Sequence, residues 1–108
     1  MSSHDGSAYV ISEVEVRDAG AMELYRTLAA RSIAQYGGRY LVRGGAAELV
    51  EGGPALKTLV IVEFASMARA REWYASPDYS EALQVRRTAL ERRLVFVEGV
   101  DAADQPYG

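Results

Sequence analysis

Tyr36-Gly37-Gly38-Arg39-Tyr40-Leu41-Val42-Arg43-Gly44-Gly45 is the stretch on which the fold of this 108-residue chain turns. A helical segment stops at the first glycine pair. A short strand with an arginine at each end follows, and the second pair turns the chain. Gly37 supplies the left-handed conformation of a helix C-cap, which other residues reach only with steric strain. Upstream, Met22, Tyr25, Leu28, Ala29, Ile33 and Tyr36 recur at three- and four-residue spacing, which predicts an amphipathic helix. Asp18 stands where its carboxylate can accept from the first free backbone N–H groups of that helix. Before it, Ala8 to Val16 alternates, with Val10, Ser12, Val14 and Val16 on one face and Tyr9, Ile11, Glu13 and Glu15 on the other. That period predicts a strand.

Downstream, Arg39 to Arg43 reads as a second strand that resumes after the Gly44-Gly45 kink as Ala47 to Glu51. Gly52-Gly53-Pro54 is a turn. Lys57 to Phe64 alternates most clearly of all, Val60, Val62 and Phe64 opposing Leu59, Ile61 and Glu63. Ser66 caps a second helix whose Met67, Ala70, Trp73 and Tyr74 share a face. At Ser76-Pro77 that helix is interrupted by a new N-cap with proline in the first helical position, where its missing N–H costs nothing. A third helical segment runs to about Leu90, and Leu94 to Glu98 is the last strand. The order β-α-β-β-α-β is that of an α+β, ferredoxin-like plait, an antiparallel sheet with helices on one face. It occupies residues 8–100 as a single domain, between a flexible leader at 1–7 and a polar tail at 101–108. Tyr9, Ile11, Leu41, Leu59 and Ile61 make the other sheet face apolar as well, which predicts a homodimer formed sheet to sheet.

Composition excludes several chemistries. The net charge of −3 and pI near 5.1 give no drive toward nucleic acid or an anionic membrane. There are no cysteines, hence no disulfide, thiolate nucleophile or cysteine metal site. The single histidine, His4, lies in the leader, away from any strand-borne site. A histidine-based triad, a metal centre and an axial haem ligand are therefore not expected. The glycine pairs lack the spacing and context of a dinucleotide fingerprint or a P-loop. The N-terminus is no signal peptide, and no apolar run approaches the roughly 20 residues that span a bilayer. These features predict a cytoplasmic protein with no membrane partner and no cofactor.

Several motifs, in order, carry a resemblance. Besides the opening stretch they are Glu51-Gly52, Val62-Glu63-Phe64-Ala65-Ser66-Met67, Ala70-Arg71-Glu72-Trp73-Tyr74-Ala75-Ser76-Pro77-Asp78-Tyr79 and Val97-Glu98-Gly99. Over about residues 8 to 99 the chain resembles the bacterial domain-of-unknown-function family 1330. The resemblance implies a dimeric α/β barrel, in which two ferredoxin-like units pack their sheets together. That superfamily includes cofactor-independent monooxygenases, muconolactone isomerases, chlorite dismutases and haem-degrading enzymes. The resemblance carries over no catalytic residue, and fold analogy is a weak warrant for chemistry.

Candidate site residues come from the charges in apolar strands. If the second strand is regular, Arg39 and Arg43 share a face, and partly buried guanidiniums need carboxylates or a bound anion. Glu63 ends an apolar strand, where burial would raise its pKa and suit it to be a general base; pairing with an arginine would hold the pKa down instead. Trp73 and Tyr79 follow helical spacing, which suits a core, yet beside arginines they would also suit a flat aromatic ligand. Arg86-Arg87 and Arg92-Arg93 read as solvated helix charge. Two functions stay open. One is a small cofactor-independent enzyme or binder for an anionic or aromatic metabolite, in which Arg39 and Arg43 hold the anion, Glu63 moves a proton, and Trp73 and Tyr79 shape the pocket. The alternative is a non-catalytic dimeric interaction module whose strand charges are salt bridges.

Overall fold

The computed structural model describes residues 6–100. The tail, His4 and all but the last two residues of the leader lie outside that range. The elements are β1 (Ala8–Val16), α1 (Ala19–Gln35), β2 (Arg39–Arg43), β3 (Thr58–Phe64), α2 (Met67–Tyr74), α3 (Pro77–Ala89) and β4 (Leu90–Glu98). The sheet order is β2-β3-β1-β4, every neighbouring pair antiparallel. This is the ferredoxin-like plait expected from the element order.

Caps set the boundaries as the local chemistry dictates. Asp18 Oδ1 accepts from the Ala21 N–H at 2.9 Å and starts α1. The helix ends with Gly37 at φ +77°, its N–H donating to the Ala34 carbonyl while Gly38 N–H donates to that of Ile33. That paired closure satisfies carbonyls the helix would otherwise leave open. Ser66 and Ser76 Oγ accept from the N–H groups of Arg69 and Tyr79, and Pro77 opens α3.

The core lies between the helices and the inner sheet face, where Val10, Val14, Val62, Phe64 and Leu90 meet Leu28, Ile33, Trp73 and Tyr79. Gly38 is placed by contact as much as by conformation: a Cβ there would lie 2.8 Å from both the Ile33 side chain and the Phe64 ring.

Three expectations are corrected. Ala47 to Glu51 is not a resumed strand; residues 44–57 run without helix or strand. The alternation of apolar and polar residues there is too weak and too glycine-flanked to hold a ladder. β4 begins at Leu90 rather than Leu94, so Arg92 and Arg93 are strand residues, not helix charge. Finally, β2 is irregular. Arg39 pairs with Glu63 and Tyr40 with Val62, but Val42 pairs with Ile61 and Arg43 with Val60, so Leu41 is an extra residue. Such a bulge reverses which side chains face which way beyond it. Arg39 therefore lies with Glu63 on the open face, while Arg43 turns with Val60 to the helix-covered face.

Candidate functional site

The inner face of the sheet is mostly apolar, and a few polar side chains interrupt it. On β1 the inward positions are Ala8, Val10, Ser12 and Val14, all buried. On β4 the inward alternation Leu90, Arg92, Leu94, Phe96 carries a guanidinium among large apolar groups. On β2 the bulge adds Arg43. Register puts Arg43, Val60, Ser12 and Leu94 in one row, with Val14 opposite Arg92 in the next. The two arginines thus arise from the two edge strands, three inter-strand spacings or about 14 Å apart across the sheet and offset by one row along it. They reach inward over a floor of valines and Ser12.

Between that floor and α1 lies a cavity of about 140 Å³. Met22, Tyr25, Ala29 and Ile33 of α1 line it, with Trp73 of α2, Tyr40 and Arg43 of β2, and Arg92 and Leu94 of β4. Gly44 and Thr58 sit at the β2–β3 end. Among the described residues three arginines line the cavity (Arg26, Arg43 and Arg92) and no carboxylate does. Arg26 is matched by Glu23, whose carboxylate accepts from Nη1 at 2.6 Å. Arg43 forms no ion pair among the described residues; it stacks 4.2 Å over the Tyr40 ring.

Arg92 meets phenols rather than acids. Nη1 donates to Tyr25 Oη at 2.7 Å and Nη2 to Tyr79 Oη at 2.8 Å, while the two phenol oxygens share a hydrogen bond of 2.6 Å. Tyr79 is 0% exposed and packs 4.2 Å, centroid to centroid, from Trp73. Trp73 is itself held by Nε1 donating to Ser32 Oγ at 2.9 Å. Burial pushes the Tyr79 phenol well above its ordinary range, only partly opposed by Arg92. It also raises the pKa of Tyr40, against the pull of Arg43. For Arg92 itself burial opposes the charge, but the two phenol oxygens outweigh that and leave it a firm cation. The cavity therefore presents the guanidiniums of Arg43 and Arg92, with Arg26 already matched by Glu23, beside the phenol hydroxyls.

The expected site residues separate. Arg43 and Trp73 line the cavity. Tyr79 stands behind it and braces Arg92. Arg39 and Glu63 are on the other side of the sheet, joined by a 2.6 Å hydrogen bond from Nε, with the arginine side chain 73% exposed and the carboxylate 18%. That bond, with a second from Ser7, lowers the Glu63 pKa, so of the two outcomes open at this position the geometry presents the arginine pairing and not the burial-raised base. Arg92, Tyr25 and Tyr40 were not singled out by sequence reasoning. Extending the alternation of β4 back from Leu94 through Arg92 to Leu90 would have turned Arg92 inward. Among the described residues no group of three or more His, Cys, Asp or Glu side chains could hold a metal ion, and no helix is long and apolar enough to cross a membrane.

A family model described as "Domain of unknown function (DUF1330)" matches residues 7–100. No curated protein matches the chain. Solved structures resemble it in fold. A protein of unknown function from Rhodopseudomonas palustris is 21% identical, with a TM-score of 0.73 over 89% of this chain and 84% of that one. A dimeric protein of unknown function with a ferredoxin-like fold, from Bacteroides fragilis, is 13% identical, with a TM-score of 0.53 over 90% and 100%. SnoaB, a cofactor-independent oxygenase from Streptomyces nogalater, is 12% identical, with a TM-score of 0.55 over 93% and 99%. Identities this low speak for the shared fold alone.

Proposed function

The chain belongs to the DUF1330 family, and from that starting point we propose that its inner cavity takes up a compact organic anion and acts on it, or carries it, without a cofactor. The observation that supports this reading is the charge balance. Arg43 and Arg92 face a largely apolar cavity that no carboxylate lines among the described residues. Arg92 is half-buried and meets only phenols, and Arg43, though exposed, has no ion pair among the described residues; a ligand carboxylate or enolate would supply the counter-charge through forked, charge-assisted hydrogen bonds. The volume sets the size: a cavity of about 150 Å³ is known to hold one benzene ring, so 140 Å³ suits a one-ring or similarly small acid. Tyr40 and Trp73 offer aromatic walls to such a ring.

The test is calorimetric titration of the protein with benzoate and small aliphatic carboxylates. Arg43→Met and Arg92→Met should each weaken binding about 10- to 100-fold, the value of one hydrogen bond to a charged group. Arg39→Met should leave it alone. Equal affinity across all four proteins, or no binding by any, would discard the reading.

A second reading concerns the open face and does not compete with the first. Tyr9, Ile11, Leu59, Ile61, Val95 and Val97 point away from the helices, with Val95 49% and Val97 41% exposed. The Arg39–Glu63 pair sits on the same face. We propose that a second copy covers this apolar surface sheet to sheet, as the dimeric neighbour of the same fold encourages, with Arg39 and Glu63 at the seam. Light scattering on the wild type and on Val95→Asp tests it: a dimer that the aspartate splits supports the face, and a monomeric wild type removes it.

A further inference from the structure

Counting protons in the Tyr25–Tyr79–Arg92 cluster leads beyond the cavity's charge. Arg92 donates to both phenol oxygens, which uses none of their own protons. The phenols hold one hydroxyl proton each, and the single bond between their oxygens uses one of the two. One proton is left, and a buried donor without an acceptor is costly. Tyr79 is wholly buried and does not line the cavity, whereas Tyr25 does. The arrangement that strands no donor has Tyr79 donating to Tyr25, and Tyr25 turning its own proton to the cavity.

We propose that Tyr25 is the residue that meets the reactive oxygen of the ligand, its hydroxyl donating to a carboxylate, enolate or phenolate oxygen that enters the cavity already ionised. The proposal rests on the anion-binding reading above and adds to it a residue, a polarity and a ligand state. With two donors directed at its own oxygen, Tyr25 is a stronger donor than an isolated phenol, and donors fixed before the ligand arrives are the usual means of stabilising an oxyanion. Among the described residues the cavity has no base: no carboxylate lines it, and Glu63 lies across the sheet bound to Arg39. Its charged side chains are guanidiniums, which only donate, and its other polar groups are chiefly hydroxyls, so the balance of donors favours an acceptor. The ligand class is therefore a compact acid that ionises unaided near neutrality, its oxyanion on Tyr25 and its remaining ring or chain against Tyr40 and Trp73.

The probe is 4-nitrophenol, whose ionised form is coloured. Titrated with the protein, the bound probe should be the phenolate, with its ionisation midpoint at least about one pH unit below that in buffer, a tenfold preference. 4-Nitroaniline, of the same shape but offering N–H where the phenolate offers an acceptor, should bind at least about tenfold more weakly. Tyr25→Phe should lower phenolate affinity about 10- to 100-fold and return the midpoint toward its value in buffer. Binding of the neutral phenol, or a 4-nitroaniline that binds as tightly, overturns the inference without any variant. Unchanged phenolate affinity in Tyr25→Phe, with Arg43→Met still impaired, overturns the role of Tyr25 and leaves the anion cavity standing. Phenolate affinity that none of these substitutions alters overturns both.

Discussion

Replacing Tyr79 with phenylalanine removes one oxygen atom and almost no volume, so its effect isolates the polar cluster from the packing around it. Tyr79 Oη is bonded to Arg92 Nη2 at 2.8 Å and to Tyr25 Oη at 2.6 Å, in a side chain with no exposed surface. A neutral hydrogen bond contributes about 1 kcal/mol and one to a charged group about 1.5–3 kcal/mol. The variant also leaves a partly buried Arg92 donor without its acceptor, which water reaches poorly. Relief from burying a hydroxyl recovers part of this. The net destabilisation should be about 2–4 kcal/mol, a large share of the 5–15 kcal/mol that holds a typical domain. In a chain of this size that lowers the melting temperature by about 10 °C or more. The assay is urea unfolding of the wild type, Tyr79→Phe, Arg92→Met and the double variant. Since both single changes break the same bond, the two losses should fall short of additivity by about 1–2 kcal/mol. A loss below about 0.5 kcal/mol for Tyr79→Phe, or strict additivity with Arg92→Met, would refute the cluster as described.

Other outcomes follow from the same structure. The buried Tyr79 phenol has its pKa raised above the ordinary 10.0. The stability it contributes is therefore complete below pH 10 and declines as the pH climbs past that value toward the folded-state pKa. Urea midpoints at pH 8 and at rising alkaline pH should show a fall that Tyr79→Phe lacks. Glu63 has the opposite sign: its pKa lies below the ordinary 4.5 because Arg39 and Ser7 bond to it, so its contribution is present above that value and is lost as the pH falls through the folded-state pKa. Glu63→Gln should flatten the acid limb of the stability profile. Gly38→Ala would set a methyl 2.8 Å from the ring of Phe64, which is 1% exposed and cannot swing aside. Overpacking of this kind costs about 1–3 kcal/mol, to be read as a lower urea midpoint with an unchanged slope.

The fold was legible because its signals are local and repeated. Caps at Asp18, Ser66 and Ser76, the glycine after Tyr36, and period-two alternation in β1 and β3 each fix an element within a few residues. The site was legible only in part, and at Arg43 the reason is one residue. Leu41, the extra residue of the β2 bulge, turns Arg43 from the face of Arg39 to the opposite one. No side-chain pattern in Arg39-Tyr40-Leu41-Val42-Arg43 marks it, since a regular strand accommodates the same five residues. Arg92 was hidden for a different reason. Three consecutive charges, Glu91-Arg92-Arg93, look like a solvated helix end. Only the ladder with β1, which sets Arg92 opposite Val14, shows that the middle one faces inward. Tyr25 and Tyr79 looked like core residues and are core residues; their hydroxyls matter because Arg92 lies between them.

The most direct test of the central claim is a crystal structure of the protein grown with benzoate, read for where the carboxylate sits. The account predicts it in the cavity under α1, within hydrogen-bond distance of Tyr25 Oη and of at least one of Arg43 and Arg92, with the ring between Tyr40 and Trp73. A carboxylate found instead on the open face at Arg39, with the cavity holding only water, would contradict it.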